Sequence, residues 1–135
     1  MAKGSVLSII DFSPASLQAL KWASQAAMSL KTHLTILYPY RLNKLGRLED
    51  ISVVKKNMDR EAAQSFKDLA EPIVKDDGVS YDFRAEVGFV SDRVSFYTSR
   101  NEITMIVMSK VIASSNPEGL SDLLDVISVP LVIVP

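Results

Sequence analysis

The sequence has no cysteine, which excludes disulfides, thiolate catalysis and cysteine-ligated zinc, and fits a reducing compartment. Histidine occurs once, at His33, just ahead of the apolar segment Leu34 to Tyr38. A triad or a metal site would need it elsewhere, so His33 is read as a surface residue. No apolar stretch reaches the roughly 18 residues of a membrane span. Met1 to Ser8 carries one lysine and strand-forming residues rather than a long apolar core, so no secretory signal is expected. With a net charge of −1 the chain lacks the basic field that holds a nucleic-acid backbone. Repeats, low-complexity tracts and interdomain linkers are also missing. These absences leave a cytoplasmic protein read as one domain over residues 1–135, and a content of 47% hydrophobic and 23% charged residues excludes intrinsic disorder.

The apolar runs are short and separated by helical patterns. Ser5 to Ile10 reads as a first strand, stopped by Asp11-Phe12-Ser13-Pro14. Ser13 suits a helix cap and Pro14 the first turn, because the cap accepts an orphan amide and proline has none. The first helix then reaches about Leu30, with Leu17, Leu20, Ala23, Ala27 and Leu30 on one stripe and Trp22 partly in the core. Leu34 to Tyr38 is the second strand. Asp50 to Lys75 keeps helical spacing through Ile51, Val54, Met58, Ala62, Phe66, Leu69 and Ile73. Asp76-Asp77-Gly78 stops it, and no further oxygen ligands stand at calcium-loop spacing.

Val79 to Val87 alternates as an edge strand does, and Ser91 to Arg100 is a short helix with Val94 and Tyr97 inward. Ile103 to Met108 is a fourth strand, Gly119 to Ile127 a fourth helix, and Leu131 to Val134 a fifth strand. Such alternation predicts an α/β fold: a three-layer α/β/α sandwich with a five-stranded parallel sheet and four helices. Right-handed crossovers favour the strand order 3-2-1-4-5. In that sheet the ligand crevice lies at the carboxyl ends of the strands, beside the stretch that follows Met108.

Four pieces, in this order and over nearly the whole length, resemble the universal stress protein family. They are the strand ending in Asp11 with Ser13, Leu17 and Ala19-Leu20 after it, Leu34-Thr35-Ile36-Leu37-Tyr38, Ile106-Val107-Met108, and Val129-Pro130-Leu131-Val132-Ile133-Val134. Nucleotide-binding members carry a glycine, two residues, a second glycine, nine residues, and a third glycine followed by Ser or Thr. Here Ser109 holds the first place and Ile112 the second. Counted back from Pro130, the third falls near Pro117, so the loop is about five residues short. No glycine stands between Gly88 and Gly119. Only a residue without Cβ lets backbone amides close round a phosphate, so Ile112 adds bulk and Pro117 removes a donor.

The substitute sequence has a local logic of its own. Ser115 with Glu118, or Asn116 with Pro117, provides helix-capping spacing and brings Glu118 to a helix N-terminus. A carboxylate and a phosphate about 4 Å apart repel by roughly 1 to 4 kcal/mol. The resemblance therefore implies a non-enzymatic regulatory or binding protein of the stress response, with no ATP or AMP cofactor. The alternative is an ATP-binding family member with a modified loop. A phosphoacceptor receiver domain shares the fold but needs an acidic pair after strand one, an aspartate ending strand three and a lysine after strand five, and the sequence supplies none of these.

Five residues are crevice candidates: Asp11, Ser13, Tyr38, Ser109 and Lys110. Asp11 either faces the adenosine part of a ligand, as the resemblance implies, or caps the first helix. Ser13 suits a cap better than a nucleophile, since no Gly-x-Ser-x-Gly elbow surrounds it. Tyr38 and Tyr40 flank Pro39 and either stack on a flat ligand or pack at the core rim. Lys110 either meets an anion or is solvated, and Lys55-Lys56, Arg41, Lys44 and Arg47 read as solvated surface. No catalytic or metal-ligating set emerges. The last strand is wholly apolar and at the sheet edge, and the resemblance implies a homodimer formed by pairing residues 131–134 across a two-fold axis.

Overall fold

The computed structural model describes residues 4–42, 50–100, 102–115 and 119–135, and for 119, 120 and 126 only the backbone. Lys44, Arg47 and the Asn116-Pro117-Glu118 capping segment lie outside the described residues. The elements run β1 Ser5–Ile9, α1 Pro14–Leu30, β2 His33–Tyr40, α2 Ile51–Ser65, a π turn Phe66–Ala70, α3 Glu71–Lys75, β3 Tyr81–Val87, α4 Val90–Arg100, β4 Ile103–Ser109, α5 Lys110–Ser115, α6 Gly119–Val126 and β5 Leu131–Val134.

All four strand pairings are parallel and the order is β3-β2-β1-β4-β5, as the alternation implied. Side chains alternate across each strand, so the sheet carries two cores. Val6, Ile10, Leu34, Ile36 and Val107 meet Leu20 and Ala23 of α1 and Phe66, Ala70 and Val74 on one face. Leu7, Ile9, Leu37, Ile106 and Met108 meet Val94, Tyr97, Ile112 and Leu123 on the other. Fully burying one such aliphatic side chain contributes about 1.5–3 kcal/mol.

The helices begin as the sequence suggests. Ser13 caps α1, its Oγ accepting the Ser16 N–H at 3.2 Å with Pro14 just inside, and Asp50 caps α2 through Ser52. Two residues placed in the α1 core are outside it: Leu30 is 53% and Trp22 41% exposed, because the stripe turns away from the sheet at both positions.

The long second helix is interrupted. Pro72 has no N–H to donate, and its ring crowds the preceding turn. The chain widens by one residue there, with the Glu71 N–H donating to the Phe66 carbonyl. That insertion shifts the phase of the helix. Ala70 and Val74 become fully buried, where unbroken helical spacing had placed Leu69 and Ile73.

Pro39 sits inside β2 for a geometric reason. Leu37 bonds toward β1, its carbonyl accepting the Ile10 N–H at 2.9 Å. Two residues on, Pro39 points its missing donor to the same side, where β1 has already left the sheet. The stretch after β4 differs most from expectation. Lys110–Ser115 is a short helix rather than an open loop, and it is not among the four helices inferred.

Candidate functional site

β1 and β4 are neighbours, and their continuations part at the top of the sheet: one leads through α1 to β2, the other through α5 and α6 to β5. This is the topological switch point at which open α/β sheets hold ligands. The hollow there is lined by Ile9, Ile10, Asp11, Pro39, Val90, Ile112 and Ser115 and has a volume of about 140 Å³. Small-molecule sites usually span about 300–1,000 Å³. Ile112 is 6% exposed and belongs to the core cluster under α4 and α6. Its branched side chain occupies the crevice wall where a glycine would leave room for a ligand.

The local bonds explain why. Ser109 is fully buried at the end of β4, and its Oγ accepts the Ile112 N–H at 3.1 Å. A serine at this point therefore acts as a helix cap, and α5 follows directly on β4. The Ser114 hydroxyl donates back to the Lys110 carbonyl, closing the same turn.

The five sequence candidates divide accordingly. Asp11 does line the crevice, but its Oδ1 accepts from the Ser13 N–H at 3.0 Å and the Ser13 hydroxyl at 2.6 Å. The Asp11 N–H donates to Ser16 Oγ at 2.9 Å. Asp11 and Ser13 thus lock the turn into α1, with Phe12 between them in the left-handed region at φ 66°. A bulky residue there costs about 1–2 kcal/mol. The strain turns the Phe12 ring onto Tyr38, 5.1 Å between centroids, and toward Phe83 at 6.0 Å.

Tyr38, on the same face of β2 as Leu34 and Ile36, lies toward α2 rather than the crevice. It stacks on Tyr40 at 5.8 Å, and burial, then the Asp11 and Glu61 charges, push its phenol above the ordinary value. Tyr40 is buried, with its hydroxyl donating to Asp59. Ser109 is a buried cap. Lys110 is exposed on the outer side, lining a separate hollow of about 600 Å³ with Ala113, Ser114, Ile133 and Pro135. The structure brings only Asp11 of the five into the crevice. Of the residues that complete it, Ile112 and Ser115 are marked by the glycine spacing and the capping pattern, whereas Ile9, Ile10, Pro39 and Val90 belong to no motif.

A second polar group was not foreseen. On the face of β3 away from α2, Asp82, Arg84 and Glu86 alternate. Arg84 Nε meets Asp82 Oδ2 at 2.8 Å, and Arg93 Nη1 meets Glu86 Oε1 at 2.9 Å. The Tyr97 hydroxyl donates to Glu86 Oε2 at 2.6 Å; burial, then this bond, push the phenol up to about 12. His33, half-buried at the sheet end away from the crevice, lies between Ser80 and Asp82, with ring nitrogens 2.8 Å and 2.7 Å from them.

Residues 4–124 match the model of the universal stress protein family. No curated protein matches. Among solved structures, a universal stress protein in complex with cAMP is 19% identical, with a TM-score of 0.74 and 100% of this chain and 99% of that one covered. The universal stress protein UspA from Lactobacillus plantarum is 18% identical, with a TM-score of 0.75 and the same coverage. One from Archaeoglobus fulgidus in complex with dAMP is 16% identical, with a TM-score of 0.72 and both chains covered completely. At these identities the likeness concerns the fold.

Proposed function

The chain belongs to the universal stress protein family, and on that premise we propose a regulatory or binding role in the stress response that does not use ATP at the crevice. The observation that carries this reading is the pairing of Ser109 with Ile112. It builds a helix where nucleotide-binding members have a glycine loop, and it leaves a hollow of about 140 Å³. Asp11 is engaged by Ser13, and among the described residues no nucleophile with an adjacent base lines the crevice. The role at this site is non-enzymatic, with a protein as the partner and the cytoplasm, which the absence of cysteine suits, as the setting. Residues 1–135 act in it as one domain.

Two structures of similar fold carry cAMP and dAMP, which makes an adenosine monophosphate the sharpest competitor for the crevice. Isothermal titration of the purified chain with Mg-ATP, AMP and cAMP decides between them. The expected result is no binding tighter than about 10 µM for any of the three. A tighter Kd for Mg-ATP establishes instead an ATP-binding member with a modified loop.

The same reading includes a homodimer through β5. Its four residues are apolar, Ile133 is 36% exposed, and hollows of about 600 Å³ and 610 Å³ flank the strand, one beside α5 and one beside Trp22 of α1. An antiparallel copy would satisfy the open strand edge and fill both hollows. Light scattering after size exclusion tests it, and a monomer at micromolar concentration ends it.

A further inference from the structure

We propose that Ser80, His33 and Asp82 form a nucleophilic site for small carboxylic esters at the sheet end opposite the crevice. The two rows that build it are in register. His33 opens β2, and its neighbour Leu34 pairs with Tyr81, so His33 lies beside Ser80 and Asp82, which share one face of β3. Asp82 Oδ1 is 2.7 Å from His33 Nε2, and Ser80 Oγ is 2.8 Å from His33 Nδ1. An ionised carboxylate can only accept a hydrogen bond, so Asp82 selects the tautomer with Nε2–H directed toward it. Nδ1 then presents its lone pair to the Ser80 hydroxyl. This is a nucleophile beside a base oriented by a third group.

The carboxylate is itself held. Thr35 Oγ1 donates to Oδ1 at 3.1 Å and Arg84 Nε to Oδ2 at 2.8 Å. Burial raises its pKa, but the bonds from Arg84, His33 and Thr35 outweigh that and hold it below the ordinary carboxylate range. Ser80 is exposed, as a nucleophile must be. Beside it lies a hollow of about 310 Å³ whose wall includes Ala27, Met28, Val79 and Lys31 along with His33 and Ser80. The apolar residues suit a short acyl chain, and the lysine supplies positive charge for a developing oxyanion.

The chemistry closes with water as the only co-reactant. Ser80 Oγ bonds to the ester carbonyl carbon while its proton passes to His33 Nδ1. The carbon–alkoxy bond breaks, and the alcohol leaves with that proton. Water then attacks the acyl-serine, gives its proton to His33 Nδ1, and the carboxylic acid departs as Ser80 recovers the proton. Asp82 is a positioning residue throughout.

The test uses the intact chain with p-nitrophenyl butyrate and, separately, a fluorophosphonate probe whose fluoride is displaced by an activated serine. Expected are hydrolysis faster than in buffer with equimolar imidazole, and label on Ser80 alone. Ser80→Ala and His33→Gln each lower kcat/KM at least about 100-fold, and His33→Gln also abolishes labelling. Asp82→Asn lowers kcat and leaves KM unchanged. Hydrolysis no faster than imidazole, label elsewhere, or a smaller loss in folded Ser80→Ala overturns the site. None of these outcomes bears on nucleotide binding at the far end of the sheet.

Discussion

The hydroxyl of Ser109 accepts the backbone N–H of Ile112 at 3.1 Å, and this one bond directs the chain beyond β4 into a helix. Replacing both with glycine, Ser109→Gly with Ile112→Gly, removes the cap and the plug together. The double variant is expected to bind AMP or Mg-ATP at least about tenfold more tightly than the parent by titration calorimetry, a gain of about 1.4 kcal/mol. It should also be less stable, since deleting a buried isoleucine side chain costs about 2–5 kcal/mol. Unchanged affinity in a folded variant would mean that the plug is not what excludes the ligand.

Ile133 is the exposed apolar residue of the β5 edge. Ile133→Lys places a charge where a second copy would pack, and the expected outcome is a monomer by light scattering with the fold intact by circular dichroism. The parent chain run beside it should show twice the mass.

Gly4 has φ +80°, and a Cβ there would stand 2.5 Å from the Glu102 carbonyl oxygen and 2.9 Å from Thr104 Cγ2. Backbone on one side leaves little room to yield. Gly4→Ala therefore combines left-handed strain with a clash at the start of β1, and about 2–4 kcal/mol of stability should be lost in urea unfolding. A loss under about 1 kcal/mol would show that the strand entry shifts freely.

Tyr97 and Asp82 are two of the groups whose shifts give the stability a pH dependence of known sign. Tyr97 is raised from 10.0 to about 12, mainly by burial and then by Glu86. Its contribution is complete below pH 10 and is lost as pH rises toward 12. Asp82 is lowered, so its contribution is present above the ordinary carboxylate pKa and is lost as pH falls. Denaturation midpoints followed across pH should decline at both ends. Tyr97→Phe should flatten the alkaline limb and Asp82→Asn the acid one.

Much of this arrangement was readable from residue order. Strand apolarity and helical spacing gave the layers and the sheet order, and Ser13-Pro14 marked the start of α1. What escaped were effects set by one residue acting on its neighbours in space. Pro72 lies inside a run whose spacing is otherwise helical, so the phase shift that buries Ala70 and Val74 has no pattern of its own. The missing glycines indicated an altered turn after β4, but not that Ser109 would cap a helix. His33 is half-buried at the end of the sheet. Its bonds to Ser80 and Asp82 depend on the β2–β3 register, which spans 47 residues of sequence. For Tyr38 the two alternatives, stacking on a ligand or packing at the core rim, are separated by the alternation of β2, which sets its ring on the face of Leu34 and Ile36 beside Phe12.

The two margins of the sheet are chemically unlike. β5 ends it with Leu131-Val132-Ile133-Val134, while β3 ends it with Asp82, Arg84 and Glu86 on alternate positions. Strand addition at β3 would force those charges out of water, so that margin rejects a newcomer. Once two chains have joined at β5, every margin left outward is of the rejecting kind. In the proposed dimer, association would then stop at two chains, with the Arg84–Asp82 and Arg93–Glu86 pairs holding the remaining margins charged.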